Sequence, residues 1–62
     1  MTMTLNRGDR ILYRRDLRGL IQEAVVVERS PSGRYVKLKH PDGSAQWYSR
    51  SDILVLERLK GG

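Results

Sequence analysis

Apolar residues recur at every second position through most of the chain, and turn-forming residues interrupt them roughly every eight to twelve residues. This alternation is typical of half-buried β-strands, because successive side chains on a strand point to opposite faces. It predicts strands over residues 9–14, 20–29, 34–39, 45–49 and 54–58. No segment has the period of an amphipathic helix, so the sequence predicts an all-β fold.

The same alternation predicts which side chains face the core. The second strand is the longest, and Val25 and Val27 lie on the face opposite its predicted core residues. We therefore expect this strand to be bent and covered on both sides, as happens at the corner of a barrel. Ala24 and Val26 are predicted to face the core, while Ile11 and Tyr13 share one face of the first strand and Val36 and Leu38 share one face of the third.

Turn chemistry sets the order of the elements. A charged loop follows the first strand, tight turns containing Pro and Gly separate the middle strands, and residues 51–53 predict a short 3₁₀ turn capped by Ser51. This order predicts a five-stranded SH3-like barrel over residues 6–59, with tails at 1–5 and 60–62, and closure would remove most exposed sheet edges. An OB-fold is the main alternative, although it normally needs more residues and a helix between its third and fourth strands.

Length and composition narrow the class of protein. A chain of 62 residues forms one domain, and the absence of cysteine excludes a disulfide framework and a thiolate zinc site. The longest apolar run, residues 24–27, is too short to span a bilayer, and no secretory signal is recognisable. We therefore expect a cytoplasmic protein that does not bind membranes.

The chain is basic. Twelve Lys and Arg against seven Asp and Glu give a net charge of +5 and a pI near 10.3, which favours a polyanionic partner. The excess is concentrated in the first loop, where Arg14, Arg15 and Arg18 form a secondary candidate contact with phosphate or an acidic partner. The alternative is a solvated loop in which Asp16 pairs locally.

The main candidate site is the outward face of the third and fourth strands. If the hairpin turn centres on residues 42–43, Lys37 lies opposite Trp47 and Tyr35 lies near Ser49. Aromatic rings among cations are typical of surfaces that stack on bases and contact phosphates. The alternative is that the lysines are edge-strand gatekeepers and that Trp47 packs under a loop or against a neighbouring subunit. The predicted binding residues are Tyr35, Lys37, Lys39 and Trp47, extended by Arg34 and Arg50.

The sequence offers little material for an enzyme that acts alone. It has no cysteine, a single histidine, and no carboxylates that spacing places together. One histidine without neighbouring ligands is not a metal site, so His40 is expected to be a solvated turn residue. We predict no catalytic residue, no metal and no cofactor.

The chain resembles two groups of SH3-like proteins. The segments Gly8-Asp9-Arg10-Ile11 and Tyr48-Ser49-Arg50-Ser51-Asp52-Ile53, with the Asp42-Gly43 turn, are similar to Tudor-like and KOW-like modules. This resemblance implies binding of methylated peptides, partner proteins or RNA, or a passive part in a larger assembly.

The second resemblance is to the small type II, plasmid-borne dihydrofolate reductases. It is carried by the same opening segment, by Pro31-Ser32-Gly33 and by Ser44-Ala45-Gln46-Trp47-Tyr48, and it ends at Leu56-Glu57-Arg58-Leu59. It implies a tetramer around one pore that binds folate and NADPH, with Ser44, Gln46, Trp47 and Tyr48 as pore residues. Tyr13 stands where that family has its pore lysine, and Trp47 stands where it has an isoleucine.

Three hypotheses about function follow. The first is a non-enzymatic binding module that contacts nucleic acid or an acidic protein surface. The second is a type II reductase-like protein, NADPH-dependent and tetrameric, or a catalytically silent relative. The third is a structural or regulatory subunit of a larger complex. The residues favour the first, and a homo-oligomer is compatible with each.

Overall fold

The computed structural model describes residues 4–59, which form one antiparallel sheet of five strands. The strands are β1 (Arg10–Arg14), β2 (Gln22–Arg29), β3 (Tyr35–Lys39), β4 (Ala45–Ser49) and β5 (Leu54–Leu59). One short 3₁₀ helix, Arg50–Asp52, immediately precedes β5. The predicted all-β fold with a 3₁₀ turn before the last strand is confirmed. Residues 1–3 and 60–62, which belong to the predicted tails, lie outside the described residues.

The strands lie in the order β4-β3-β2-β1-β5, so β4 and β5 are the two edges of the sheet. No pairing joins these two edges within residues 4–59, and the sheet is not closed by backbone hydrogen bonds, whereas the sequence predicts closure. Both edge strands therefore present backbone N–H and C=O groups that lack a ladder partner on one side. Over the same residues, no helix has the length and apolar character needed to cross a membrane.

The core is built from one face of each of β1, β2 and β3. Ala24 and Val26, which are predicted to face it, are buried together with Ile11, Tyr13, Val36 and Leu38, and Leu5 and Ile53 complete the cluster. Leu5 falls within the predicted N-terminal tail, yet its exposure is only 2%. The Arg29 guanidinium donates a hydrogen bond to the Leu5 carbonyl at 3.4 Å, and the amide of Gly8 donates to the Val26 carbonyl at 2.7 Å. These bonds hold the N-terminal segment against β2.

The long strand β2 contains a β-bulge. Val26 pairs with Leu38, but the next paired residue on β2 is Glu28, which lies opposite Lys37. Val27 therefore has no paired residue on β3. Such a bulge bends the strand and moves the side chains that follow it to the face opposite to the one that regular alternation would give them. The bulge places Glu28 on the outer face of the sheet, and Val25 and Val27 are half-buried, in agreement with the expected bent strand.

The cap of the 3₁₀ helix differs from the prediction. The helix begins at Arg50, so the residue that precedes it is Ser49 and not Ser51. The hydroxyl oxygen of Ser49 accepts a hydrogen bond from the Ser51 amide at 3.3 Å. Ser49 and Ser51 are two residues apart, and the capping role is decided by the point at which β4 ends.

Candidate functional site

The outer side of the β3–β4 hairpin carries an exposed set of aromatic and cationic side chains. The predicted register is observed, with Lys37 opposite Trp47 and Tyr35 opposite Ser49. Tyr35 is 51% exposed and Trp47 is 48% exposed, while Lys39 is exposed and Lys37 is half-buried. We call the residues Tyr35, Lys37, Lys39 and Trp47 the basic-aromatic face.

The rings of the basic-aromatic face have no partner within the described chain. The ring contacts found over residues 4–59 join Tyr13, His40 and Tyr48, and none involves Tyr35 or Trp47. Among the described residues no cation covers the ring of Tyr35 or Trp47, and the cation–π contact found in that part of the chain places Arg15 over Tyr48. An indole that is half exposed and has no intramolecular ring partner leaves a π surface open to a ligand.

Two arginines predicted to extend the site are next to Tyr35 and Ser49 along the hairpin. The Arg50 amide donates a hydrogen bond to the Arg34 carbonyl at 2.8 Å, which continues the β3–β4 ladder by one step. Arg34 is exposed, whereas Arg50 is half-buried. Burial lowers the pKa of the Arg50 guanidinium, although an arginine remains a cation at neutral pH. The predicted extension is therefore adjacent to Tyr35 along the backbone, but Arg34 and Arg50 are one step out of phase with Tyr35 and Ser49, and alternation does not put them on the basic-aromatic face.

One acidic residue belongs to this face and was not predicted. The bulge at Val27 places the exposed Glu28 opposite Lys37, on the same side of the sheet as Trp47. No ion pair joins Glu28 to Lys37 among the described residues, where the ion pairs found are Arg10–Glu23 and Arg58–Asp9. A regular strand would have turned Glu28 away from Lys37, so simple alternation could not find it.

The structure does not bring the loop arginines to the basic-aromatic face. Arg14 is half-buried in β1, and its Nε is buried without a hydrogen-bond partner. The Arg15 guanidinium carbon lies 5.9 Å from the ring centroid of Tyr48, a residue of the opposite face of β4. Asp16 accepts a hydrogen bond from the backbone amide of Arg18 at 2.8 Å. The loop also exposes three large apolar side chains, Leu17, Leu20 and Ile21.

The inner side of the β3–β4 hairpin borders an open depression of about 520 Å³. The Tyr13 hydroxyl and His40 Nε2 are 2.5 Å apart, and the ring of Tyr48 lies 6.0 Å from that of Tyr13. His40 is thus a half-buried, hydrogen-bonded residue and not the solvated turn residue that its place in the sequence predicts. We call this space, lined by Gln22, Glu23, His40, Pro41, Asp42, Ser44, Gln46 and Tyr48, the hairpin depression.

Burial governs the chemistry of Tyr13. The side chain has no solvent exposure, and burial, followed by the neighbouring Tyr48 hydroxyl, raises the pKa of Tyr13 to about 12. A phenol whose pKa is raised in this way is a hydrogen-bond donor at neutral pH and a poor general base. His40 Nε2 lies within hydrogen-bond distance to accept that proton.

The residues of the alternative pore site fall on two surfaces. Gln46 and Tyr48 line the hairpin depression, where the Tyr48 hydroxyl donates a hydrogen bond to Gln46 Oε1 at 3.2 Å, and Trp47 lies on the opposite face. Ser44 is held in the turn, because its amide and hydroxyl donate to Asp42 Oδ1 at 2.9 and 2.7 Å. The hydrogen bond from the Ser44 hydroxyl, and after it the one from the Ser44 amide, lowers the pKa of the Asp42 carboxyl.

Comparisons with known proteins assign no family to the chain. No family model matches it, and no curated protein or solved structure gives a significant match. Over residues 4–59, no group of three or more metal-ligating side chains is present. The two faces of the β3–β4 hairpin are therefore the candidate functional surfaces of this protein.

Proposed function

We propose that this protein is a non-enzymatic binding module that contacts nucleic acid through its basic-aromatic face. The observation that carries the proposal is that Tyr35 and Trp47 are about half exposed, lie beside Lys37 and Lys39, and make no ring contact within the described chain. Exposed rings among cations match the two chemical components of a nucleic acid, which are base and phosphate.

The architecture supports an SH3-like assignment within this proposal. The order β4-β3-β2-β1-β5, with a 3₁₀ helix between β4 and β5, is the connectivity expected of an SH3-like sheet. An SH3-like sheet is a scaffold that many binding modules share, but fold by itself does not define function.

The net charge favours a polyanion over a neutral partner. The chain carries +5, and the described cations next to the rings exceed the single acid, Glu28. An acidic protein surface would satisfy the lysines but would give the two rings no particular role. Nucleic acid uses both groups, and we therefore place it first.

The experiment is a binding titration at two ionic strengths. A labelled single-stranded oligonucleotide of about twelve nucleotides is titrated with protein at about 50 and 200 mM salt, and fluorescence anisotropy gives the Kd. We expect affinity to fall steeply with salt, because binding releases counterions from the phosphates. Lys39→Ala should weaken binding and reduce the magnitude of the salt slope by about 0.7.

A charge-matched variant distinguishes the effect of a charge within the basic-aromatic face from the effect of the protein's net charge. Arg58→Ala removes the same charge from β5, at the opposite edge of the sheet, and should change affinity less than Lys39→Ala does. Polyglutamate serves as the acidic-protein probe. Binding to polyglutamate without binding to oligonucleotides, or no binding to either, would contradict the proposal.

A second candidate function is the reductase-like pore, and one observation favours it. Gln46 is exposed although it lies opposite the buried Leu38, and with Tyr48 it borders the open hairpin depression. Four copies that met through this side would form a shared cavity. This candidate requires a tetramer that binds NADPH, so a strict monomer by light scattering excludes it.

A further inference from the structure

The two exposed rings are offset along the hairpin. Tyr35 on β3 is directly opposite Ser49, and Trp47 on β4 is directly opposite Lys37, so the two aromatic residues form a diagonal pair on one face. Diagonal partners in an antiparallel pair are about 7 to 8 Å apart. The offset leaves each ring with its own open surface, and no contact between the two rings is found within residues 4–59.

Small residues on β4 flank the indole. Ser49 and Ala45 occupy the positions on either side of Trp47 on the same face, opposite Tyr35 and Lys39. Neither is large enough to cover an aromatic ring. The face therefore alternates large and small side chains, which leaves space beside each ring for a flat group of the size of a base.

The exposed rings and the neighbouring lysines together favour one kind of nucleic acid over another. A duplex presents phosphates and the edges of its bases, but its base faces are stacked on one another and are not accessible. An unpaired strand presents phosphates and free base faces at the same time. A ligand that engages both the lysines and the rings is therefore an unpaired strand.

From this geometry we infer that the basic-aromatic face is a platform for two unpaired bases of a single strand, one on Tyr35 and one on Trp47. Lys37 and Lys39 contact the adjacent phosphates, and Glu28 opposite Lys37 limits the affinity. The inference rests on the proposed function and adds to it the strandedness of the ligand and the role of each ring. With two cations the salt slope is about −1.4, since each contributes about 0.7 on a single strand.

The test uses Trp47 as its own probe, because it is the only tryptophan in the chain. Four ligands of about eight nucleotides or equivalent charge are titrated: oligo-dT, oligo-U, an abasic strand with the same backbone, and a hairpin duplex. We expect oligo-dT, oligo-U or both to bind and to quench the fluorescence of Trp47. The abasic strand and the duplex should bind at least about tenfold more weakly.

Variants then separate stacking from charge. Anisotropy with labelled strands should show that Trp47→Ala and Tyr35→Ala each weaken binding of oligo-dT by about 5- to 150-fold, while binding of the abasic strand changes little. Glu28→Gln should strengthen binding of both strands, because it removes a negative charge opposite Lys37. Leu20→Ala is the control: Leu20 is exposed on the first loop and is not part of the basic-aromatic face, so this substitution should leave every affinity unchanged. Circular dichroism verifies that each variant is folded.

Failure of this inference is distinguishable from failure of the proposed function. If the abasic strand or the duplex binds as tightly as oligo-dT, and Trp47→Ala has no effect, the protein binds nucleic acid through charge and the two-base platform is wrong. If none of the four ligands binds at low salt, the proposed function itself is wrong. Loss of oligo-dT binding in Tyr35→Ala but not in Trp47→Ala would also overturn the two-ring arrangement.

Discussion

At the scale of single residues, Tyr13 shows most clearly how burial changes chemistry. Its hydroxyl is fully enclosed and lies 2.5 Å from His40 Nε2, and its pKa is raised to about 12. In the unfolded chain the same phenol has a pKa of about 10. The folded state therefore holds the proton more tightly than the unfolded state does, and this difference links stability to pH.

We predict that the stabilisation linked to Tyr13 is fully present below about pH 10 and is lost as pH rises through about 12. Between about pH 9 and 12 the wild-type protein should lose about 2 kcal/mol more unfolding free energy than Tyr13→Phe does. Urea unfolding at several pH values measures this difference. Near neutral pH, Tyr13→Phe should cost about 1 kcal/mol, because it removes the hydrogen bond to His40.

Tyr35→Phe is the matched control for this prediction, because Tyr35 is exposed. Its pH profile should follow that of the wild-type protein. Ultraviolet absorbance gives a second measurement, since ionisation of a phenol changes its spectrum. A Tyr13→Phe profile that falls as steeply as the wild-type profile would show that Tyr13 does not supply this part of the alkaline sensitivity.

At the scale of elements, the β3–β4 hairpin depends on its turn. The Gly43 amide donates to the His40 carbonyl at 2.9 Å, and the His40 amide donates to the Ser44 carbonyl at 2.8 Å. Gly43 has a φ of +92°, which matches the three-residue hairpin loop that ends in a glycine of positive φ. The turn fixes the register, and the register sets Lys37 against Trp47.

We predict that Gly43→Ala destabilises the protein by about 1 to 2 kcal/mol. A Cβ at this position would meet no atom within 4 Å, so the cost comes from backbone conformation and not from a clash. Thermal unfolding measures the loss. Gly43→Asn is the comparison, and it should cost less, because asparagine tolerates positive φ better than alanine does. Equal stability of Gly43→Ala and the wild-type protein would contradict the prediction.

At the scale of the whole molecule, the core is small and uses the N-terminal segment. Within residues 4–59, eight buried residues form one cluster, and Leu5 belongs to it although it precedes β1. A domain of about 60 residues buries only about 60% of the surface its unfolded chain exposes, so its stability is modest. Each member of the cluster therefore represents a large fraction of the total stability.

We predict that Leu5→Ala costs about 2 to 5 kcal/mol, as for a leucine in the centre of a core. Such a loss would leave much of the protein unfolded at room temperature. Chemical denaturation, followed by far-ultraviolet circular dichroism, measures the effect. Leu17→Ala makes the same substitution at a residue that is 78% exposed, and it should change stability by less than about 0.5 kcal/mol. Equal effects of the two substitutions would show that residue 5 is not part of the core.

Most of the fold follows from local properties of the sequence. Alternation identifies the buried faces of β1, β2 and β3, and the Pro-Asp-Gly turn fixes the register that brings Lys37 and Trp47 together. A strand repeats every two residues and a hairpin loop has few allowed conformations, so short stretches of sequence contain this information. The basic-aromatic face lies within one hairpin, and for that reason its geometry could be predicted.

Tertiary structure decides the features that depend on partners distant in the sequence. The bulge at Val27 arises in the pairing of β2 with β3, and it alone places Glu28 on the basic-aromatic face. The contact between Tyr13 and His40 joins residues that are 27 positions apart, and the burial of Leu5 depends on how the N-terminal segment meets β2. The sequence by itself determined the strands, the turns and the hairpin face. Packing between distant segments determined which acid faces the lysines, that His40 is held by Tyr13, and where the core ends, because periodicity describes one strand and not its neighbours.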